Sequence, residues 1–265
     1  MEKQIYNNNV RINYKIEGKG STVVLIHGFL ETSETWRDFS NKLSEKHLVI
    51  TADLPGHGKS ELYEEPYTMC RYAESIYYIL QEEEIENALI TGHSMGGYVA
   101  LAFAENYPHM LSGLCLFHSS PFADNEEKKK NRDKVINQIK HGNKNLICSD
   151  HAKAVFADYN ISTFKNAVSE GEKIAKSIPE EAVIASLTAM KKRKDRSEIL
   201  KNLQVPFLYI FGNSDRFIPR TILNKIDFPK DTSIGILKNS GHTGMIEEKE
   251  KSLKLINDFA DKVYF

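Results

Sequence analysis

Ser94 is the residue on which chemistry can be built. It lies in Gly92-His93-Ser94-Met95-Gly96-Gly97, after the apolar run Leu89-Ile90 and before Val99-Ala100-Leu101-Ala102-Phe103-Ala104. A buried strand turning sharply into a buried helix forces the residue between them into a strained backbone. The residues two before and two after it then come close together and must be small, which Gly92 and Gly96 satisfy. The hydroxyl is raised above the sheet at a helix N-terminus, where backbone N–H groups and the helix dipole favour a developing anion. Such a serine is suited to attack on a carbonyl carbon.

A serine hydroxyl is a poor nucleophile until a base takes its proton and a third group orients that base. The chain has nine histidines. His93 adjoins the serine, but successive residues at a sharp turn point in different directions. His27 precedes a glycine at a strand end and reads as a structural hydrogen-bonder. His57 lies in a turn, and His47, His109, His141 and His151 have no site-like context. His242 follows the last strand in a glycine-flanked loop from which an imidazole can reach the serine, and Asp215 sits just past another strand end between Gly212 and Pro219. The order Ser94, Asp215, His242 suits a serine on a strand-to-helix elbow. An oxyanion needs donors as well. The N–H of Met95, directly after the serine, and the N–H of Phe29, after His27-Gly28, are the expected pair, each worth about 3 kcal/mol of transition-state stabilisation.

These residues must be brought together by the elements that carry them. Val10, Ile12, Tyr14 and Ile16 alternate as a half-buried strand after an Asn7-Asn8-Asn9 turn. Thr22 to Ile26, His47 to Ala52, Leu89 to Thr91, Leu111 to Phe117, Pro206 to Phe211 and Ser233 to Leu237 are short buried strands. Helical patterns around Trp36, Phe39 and Leu43, around Tyr72, Ile76 and Ile79, and through Leu253, Ile256 and Phe259 intervene or follow. Thr68 is a candidate cap for the second of these. Alternation of this kind predicts an α/β fold with a mostly parallel, doubly wound sheet. Ligands collect at the carboxyl ends of such strands, where His27-Gly28-Phe29, Asp53, Ser94 and His118-Ser119 all fall.

From Ser119 to Gln204 the strand-like runs vanish and charged helical segments replace them. We expect an α/β core of residues 1–118 and 205–265, with 119–204 inserted as a helical cap. The insertion carries 17 basic and 12 acidic residues, against 18 and 24 in the rest. Its Asn125 to Lys130 run reads as a solvated helix face, and the excess of basic residues in the insertion is the one feature pointing toward an anionic substrate.

Composition narrows the classes further. The chain has 265 residues, 41% hydrophobic and 10% aromatic, enough for one sizeable core. With 35 basic and 36 acidic side chains, nothing favours nucleic acid or a membrane surface as a partner. Three cysteines, Cys70, Cys115 and Cys148, have no metal-ligand spacing and suit a reducing compartment. No secretory leader is legible at the N-terminus and no run approaches the ~18 apolar residues of a membrane span. A cytoplasmic location is therefore expected, while the oligomeric state stays open.

Several of these segments together resemble the α/β-hydrolases, in the branch with a helical cap after the sixth strand. They are His27-Gly28-Phe29, Asp53 to Ser60, Gly92 to Gly97, Gly212 to Asp215 with Pro219, and Gly241-His242. The resemblance implies the fold and a Ser94–His242–Asp215 triad, with no metal or organic cofactor, but many activities share this frame. Dehalogenases and epoxide hydrolases of the fold use an aspartate where Ser94 stands. A menaquinone-pathway synthase, a lyase, usually has an arginine at the position of Tyr98. The C–C hydrolases have Ser-Gly-Pro-Gly where this chain has Phe29-Leu30-Glu31-Thr32. We therefore expect a carboxylesterase-like serine hydrolase of small to medium esters. The alternatives are a thioesterase or lactonase, a triad-dependent lyase acting on an anionic metabolite, or a non-catalytic receptor that uses the same cavity.

Overall fold

The computed structural model describes residues 1–265 except Asn8, so that part of the expected Asn7-Asn8-Asn9 turn lies outside the described residues. Eight strands form one sheet in the order β1-β2-β4-β3-β5-β6-β7-β8. They are β1 (Glu2–Asn7), β2 (Val10–Glu17), β3 (Thr22–Ile26), β4 (Leu48–Ala52), β5 (Ala88–His93), β6 (Leu111–Phe117), β7 (Phe207–Gly212) and β8 (Thr232–Leu237). β2 is antiparallel to both its neighbours, and β3 through β8 pair in parallel.

The β-branched and apolar runs form these strands because both faces of the sheet are covered. Side chains alternate across the pleat. Val24, Ile26, Ile90, Leu114 and Tyr209 therefore pack on one face, with Ile76 and Ile79 of α2 (Met69–Glu82) and Phe103 of α3 (Met95–Asn106). Val23, Leu25, Leu89, Cys115 and Ile210 pack on the other, with Phe39 of α1 (Arg37–Leu43) and Ile256 and Phe259 of α10 (Lys249–Tyr264). Full burial of one such side chain stabilises by about 1.5–3 kcal/mol, so each helix is held by its apolar stripe. Thr68 caps α2, its hydroxyl accepting from the Arg71 N–H at 3.2 Å.

After β3 the chain pairs β4 on one side, then crosses to place β5 on the other. The reversal opens a crevice at the carboxyl ends of β3 and β5, where His27-Gly28-Phe29 and Ser94 lie. Between β6 and β7 there is no strand but a run of helices: α4 (Glu126–Gln138), α5 (Lys144–Ala154), α6 (Lys165–Ser177), α7 (Glu180–Lys192) and α8 (Ser197–Lys201). α4 buries none of its residues and is capped by Asn125, which accepts from the Lys128 N–H at 2.9 Å. α9 (Gly244–Glu247) follows β8 and leads into α10. Among the described residues no helix is long and apolar enough to cross a membrane, and all three cysteines are free.

Candidate active site

Ser94 occupies the turn between β5 and α3 with φ 50° and ψ −113°. Non-glycine residues seldom adopt a positive φ, and the surroundings must hold it there. The Ser94 N–H donates to the Phe117 carbonyl at 2.9 Å, and its own carbonyl accepts from the Gly97 N–H at 3.0 Å and the Ser119 hydroxyl at 2.7 Å. A Cβ on Gly92 would meet the Gly96 carbonyl at 2.3 Å, and one on Gly96 the Ile26 carbonyl at 2.4 Å. The backbone crossing thus leaves no room for any other residue at either position.

Asp215 follows β7 and His242 follows β8, on adjacent strands. His242 Nε2 lies 2.8 Å from Ser94 Oγ, and His242 Nδ1 lies 2.7 Å from Asp215 Oδ2. The other carboxylate oxygen, Oδ1, accepts from the N–H groups of Phe217 and Ile218, both at 2.9 Å. The three side chains are therefore one hydrogen-bonded series, whose links join residues 148 apart (Ser94 and His242) and 27 apart (His242 and Asp215). With its proton shared toward a ring nitrogen that a carboxylate orients, an alcohol is set for general-base activation.

His118, noted in the sequence only for its place at the end of β6, joins this series. Its Nδ1 lies 2.9 Å from Asp215 Oδ2, and its Nε2 accepts from the Gly244 N–H at 3.2 Å. That second bond requires a lone pair on Nε2, so the ring is neutral and donates through Nδ1. Burial by itself would raise the Asp215 pKa, but His242, His118 and the hydrogen bonds outweigh it and hold the carboxyl far below its usual range. Among the described residues one buried cluster, His118, Asp215 and His242, has ligand atoms close enough to consider for a metal. Its nitrogens are all engaged with Asp215, Ser94 and the Gly244 N–H, which fits an acid–base series better than a metal centre.

Three buried histidines carry a pH prediction. Burial is the main cause that lowers the pKa of His27, of His57 to about 3 and of His118 to about 4. An unfolded histidine takes up its proton near pH 6.5, whereas His57 and His118 stay neutral well below that and His27 shifts in the same direction. Their contribution to stability is complete above pH 6.5 and is lost as the pH falls toward 4, by up to about 1.4 kcal/mol per pH unit for each ring. His93, whose pKa is raised, opposes them with a single proton. The urea midpoint should fall steadily from pH 7 to pH 5. A constant midpoint would contradict neutral buried rings.

Phe29 and Met95 carry the expected oxyanion donors. Among the described residues neither N–H has a protein acceptor. Met95 opens α3 and so has no intrahelical partner. The Gly28–Glu31 turn displays Phe29. Its Leu30 has φ 60°, and the Glu31 carboxylate reaches back to the Gly28 N–H at 2.7 Å. His27 bonds structurally, its Nε2 accepting from the Leu54 N–H at 2.9 Å.

Two expectations need correction. Asp53 stands at a strand end but is not part of this site. Its carboxylate accepts from the N–H groups of Ser33 and Lys59 at 2.9 and 3.0 Å and ties loops together. His151, read as lacking a site-like context, lines a cavity beside the triad, its ring 5.5 Å from that of Phe29 and 5.6 Å from that of Phe217. Phe217 in turn lies 4.9 Å from the His242 ring. The cavity, about 620 Å³, runs from Phe29 and Thr243 past Val155 and Phe156 to Ile174 and Met245. The side chains of Ser94, Asp215 and His242 do not line it, but the adjacent Thr243 and the loop residue Phe29 do.

The loop carrying His242 is also tied to the helices between β6 and β7. The His242 N–H donates to the Val155 carbonyl at 2.7 Å, and Glu247 accepts from the N–H groups of Gly241 and Ala157 at 2.8 and 2.9 Å. Glu247 carries no motif in the sequence. Only its position five residues past His242 could have drawn notice.

Residues 21–249 match a family model described as alpha/beta hydrolase fold. An uncharacterized protein of Mycobacterium tuberculosis is 38% identical over 103 residues, which is 39% of this chain and 30% of that protein's length. The pimeloyl-acyl-carrier-protein methyl ester esterase of Photorhabdus laumondii is 25% identical over 250 residues, 91% of this chain and 92% of that one. Among solved structures, a thermophilic esterase from Thermogutta terrifontis with malate bound aligns with a TM-score of 0.94 at 24% identity, over 100% of both chains. The family match takes in every strand from β3 to β8 and all three loops that meet at Ser94, so this chain belongs to the alpha/beta hydrolase fold family.

Proposed function

We propose that the protein is a serine hydrolase of small to medium carboxylic esters, acting through an acyl-enzyme, with residues 119–204 as a helical cap on the core of 1–118 and 205–265. The observation that carries this reading is the in-line Ser94–His242–Asp215 series, with contacts of 2.8 and 2.7 Å. Ser94 Oγ attacks the ester carbonyl as its proton passes to His242 Nε2. The oxyanion turns toward the Phe29 and Met95 N–H groups. His242 then returns the proton to the departing alkoxide, which leaves as the alcohol. Water attacks the acyl-Ser94 ester, losing a proton to His242, and collapse frees the acid and restores the serine. Asp215 keeps the imidazole oriented and stabilises it while charged.

The name of the Photorhabdus relative specifies an ester, and that of the Thermogutta structure an esterase, which supports this substrate class. The cavity beside Phe29, within the usual range of ligand sites, supports acyl or alcohol groups of modest size. Three free thiols suit reducing, cytoplasmic surroundings. Elimination from an anionic metabolite would want a free cation by the serine. Arg193, stacked 4.0 Å over the Tyr98 ring, is paired with Asp124 at 2.8 Å, and Arg196 with Glu105 at 2.8 Å. Neither arginine favours that rival.

A series of p-nitrophenyl esters from acetate to laurate tests the proposal. We expect stoichiometric release of acid and p-nitrophenol, with kcat/KM highest among the short and medium chains. Failure of the folded protein to hydrolyse any of them would refute it.

A further inference from the structure

We infer that Glu31 and His93 form one positioning unit that ties the Phe29 oxyanion turn to the backbone of His242. The inference rests on the serine-hydrolase reading and adds two residues to it. Glu31 Oε2 accepts from the Gly28 N–H at 2.7 Å and stands 3.0 Å from His93 Nδ1. His93 Nε2 lies 2.8 Å from the His242 carbonyl oxygen. A single ring thus spans from the turn that displays one oxyanion donor to the main chain of the base.

The chemistry of the partners fixes the protons. A carbonyl oxygen only accepts, so Nε2 carries hydrogen. Glu31, its pKa held down to about 2, is ionised and its oxygen only accepts, from the Gly28 N–H and from Nδ1 alike. His93 is therefore an imidazolium paired with a carboxylate. Burial disfavours that charge, but Glu31 outweighs it and raises the ring's pKa, while Glu31 itself is held down to about 2, burial notwithstanding, chiefly by His93. The ring has little freedom to do anything else. It is 1% exposed and packed by the edges and faces of Trp36, Phe117, His118 and His242, with ring centroids 5.1–6.4 Å away. His27, His118, His151 and Asp215 are further titratable groups that act on it.

Space at the turn is matched to this pair. A Cβ on Gly28 would meet His93 Nδ1 at 2.8 Å and Glu31 Oε2 at 3.0 Å, so the turn can approach the ring only as glycine. Leu30, at φ 60°, needs its surroundings to hold it, and the Glu31 closure does so from the next residue. Displacement of a reacting group by about 1 Å can cost roughly 10²-fold in rate, and the unit governs the placement of two such groups.

Kinetics of Glu31→Gln, His93→Asn and the double variant, with p-nitrophenyl acetate as substrate, test the inference. An amide oxygen can still accept from Gly28 and from the ring, but without a negative charge it does not hold His93 as an imidazolium. Each single variant should lower kcat by about 10- to 100-fold with KM within about threefold. The double variant should fall no more than about threefold below the worse single, because the two side chains act as one. Nitrogen-15 spectra of the histidine rings in the unaltered protein, which need no variant to fold, should find both His93 nitrogens protonated at pH 7.5. An unchanged kcat in folded single variants, additive losses in the double, or a singly protonated His93 would each overturn the inference. Ser94→Ala in the same assay separates the two levels. If it retains activity, the serine reading fails and takes the inference with it. If it is inert while the Glu31 and His93 variants stay fully active, only the inference fails.

Discussion

Ser94→Ala should lower kcat for p-nitrophenyl acetate by about 10⁴- to 10⁶-fold, the range seen when the nucleophile of such a series is removed. The hydroxyl is the nucleophile of the proposed reaction, and among the described residues His242 Nε2, 2.8 Å away, has no other hydrogen-bond partner. The residual rate should come from the Phe29 and Met95 N–H groups, which still polarise a carbonyl for attack by water. Stability should change by less than about 1 kcal/mol. Alanine tolerates φ 50° no worse than serine does, and only the hydrogen bond to His242 is lost. Rates and urea midpoints measured on the same preparation separate loss of chemistry from loss of fold.

Asp215→Asn should cost about 10⁴-fold in kcat while leaving KM and the fold nearly intact, and the hydrogen-bond roles explain why. Oδ1 accepts from the Phe217 and Ile218 N–H groups, so an asparagine must turn its oxygen that way. Its NH₂ then occupies the place of Oδ2, against His242 Nδ1 at 2.7 Å and His118 Nδ1 at 2.9 Å. A donor in that place forces His242 Nδ1 to become the acceptor, and the ring proton moves to Nε2. With Nε2 protonated, the imidazole cannot take the Ser94 proton. His118 must change tautomer too, at the expense of its bond from the Gly244 N–H. The pH dependence of kcat and nitrogen-15 spectra of His242 check this. A variant that keeps more than about a tenth of the activity would mean that Asp215 does not set the tautomer.

Much of this arrangement is legible in the residues themselves. β3, β5, β6 and β7 are buried on both faces, so their apolar runs need no alternation to be recognised, and the elbow follows because Gly92 and Gly96 flank a serine between strand and helix. Asp215 and His242 stand out because each follows a strand in a turn-rich loop. Glu31 does not, since its carboxylate answers to a ring 62 residues away and looks in sequence like any charged loop residue. His118 and Asp53 both sit at strand ends, and only the side-chain directions there tell that one reaches Asp215 while the other ties loops together. His151 lies on a helix of the inserted segment. The periodicity of that segment gives its helices but not which face meets the sheet, so a histidine lining the cavity is indistinguishable from a solvated one.

A fluorophosphonate reacts with a serine only when a base has made it nucleophilic. Mass analysis of the protein after exposure to such a probe at pH 7.5 tests the central claim most directly. The account predicts one phosphonyl adduct per chain, carried by the peptide containing Ser94 and absent from His242→Ala. No adduct on the folded protein, or an adduct that forms as fast without His242, would contradict it.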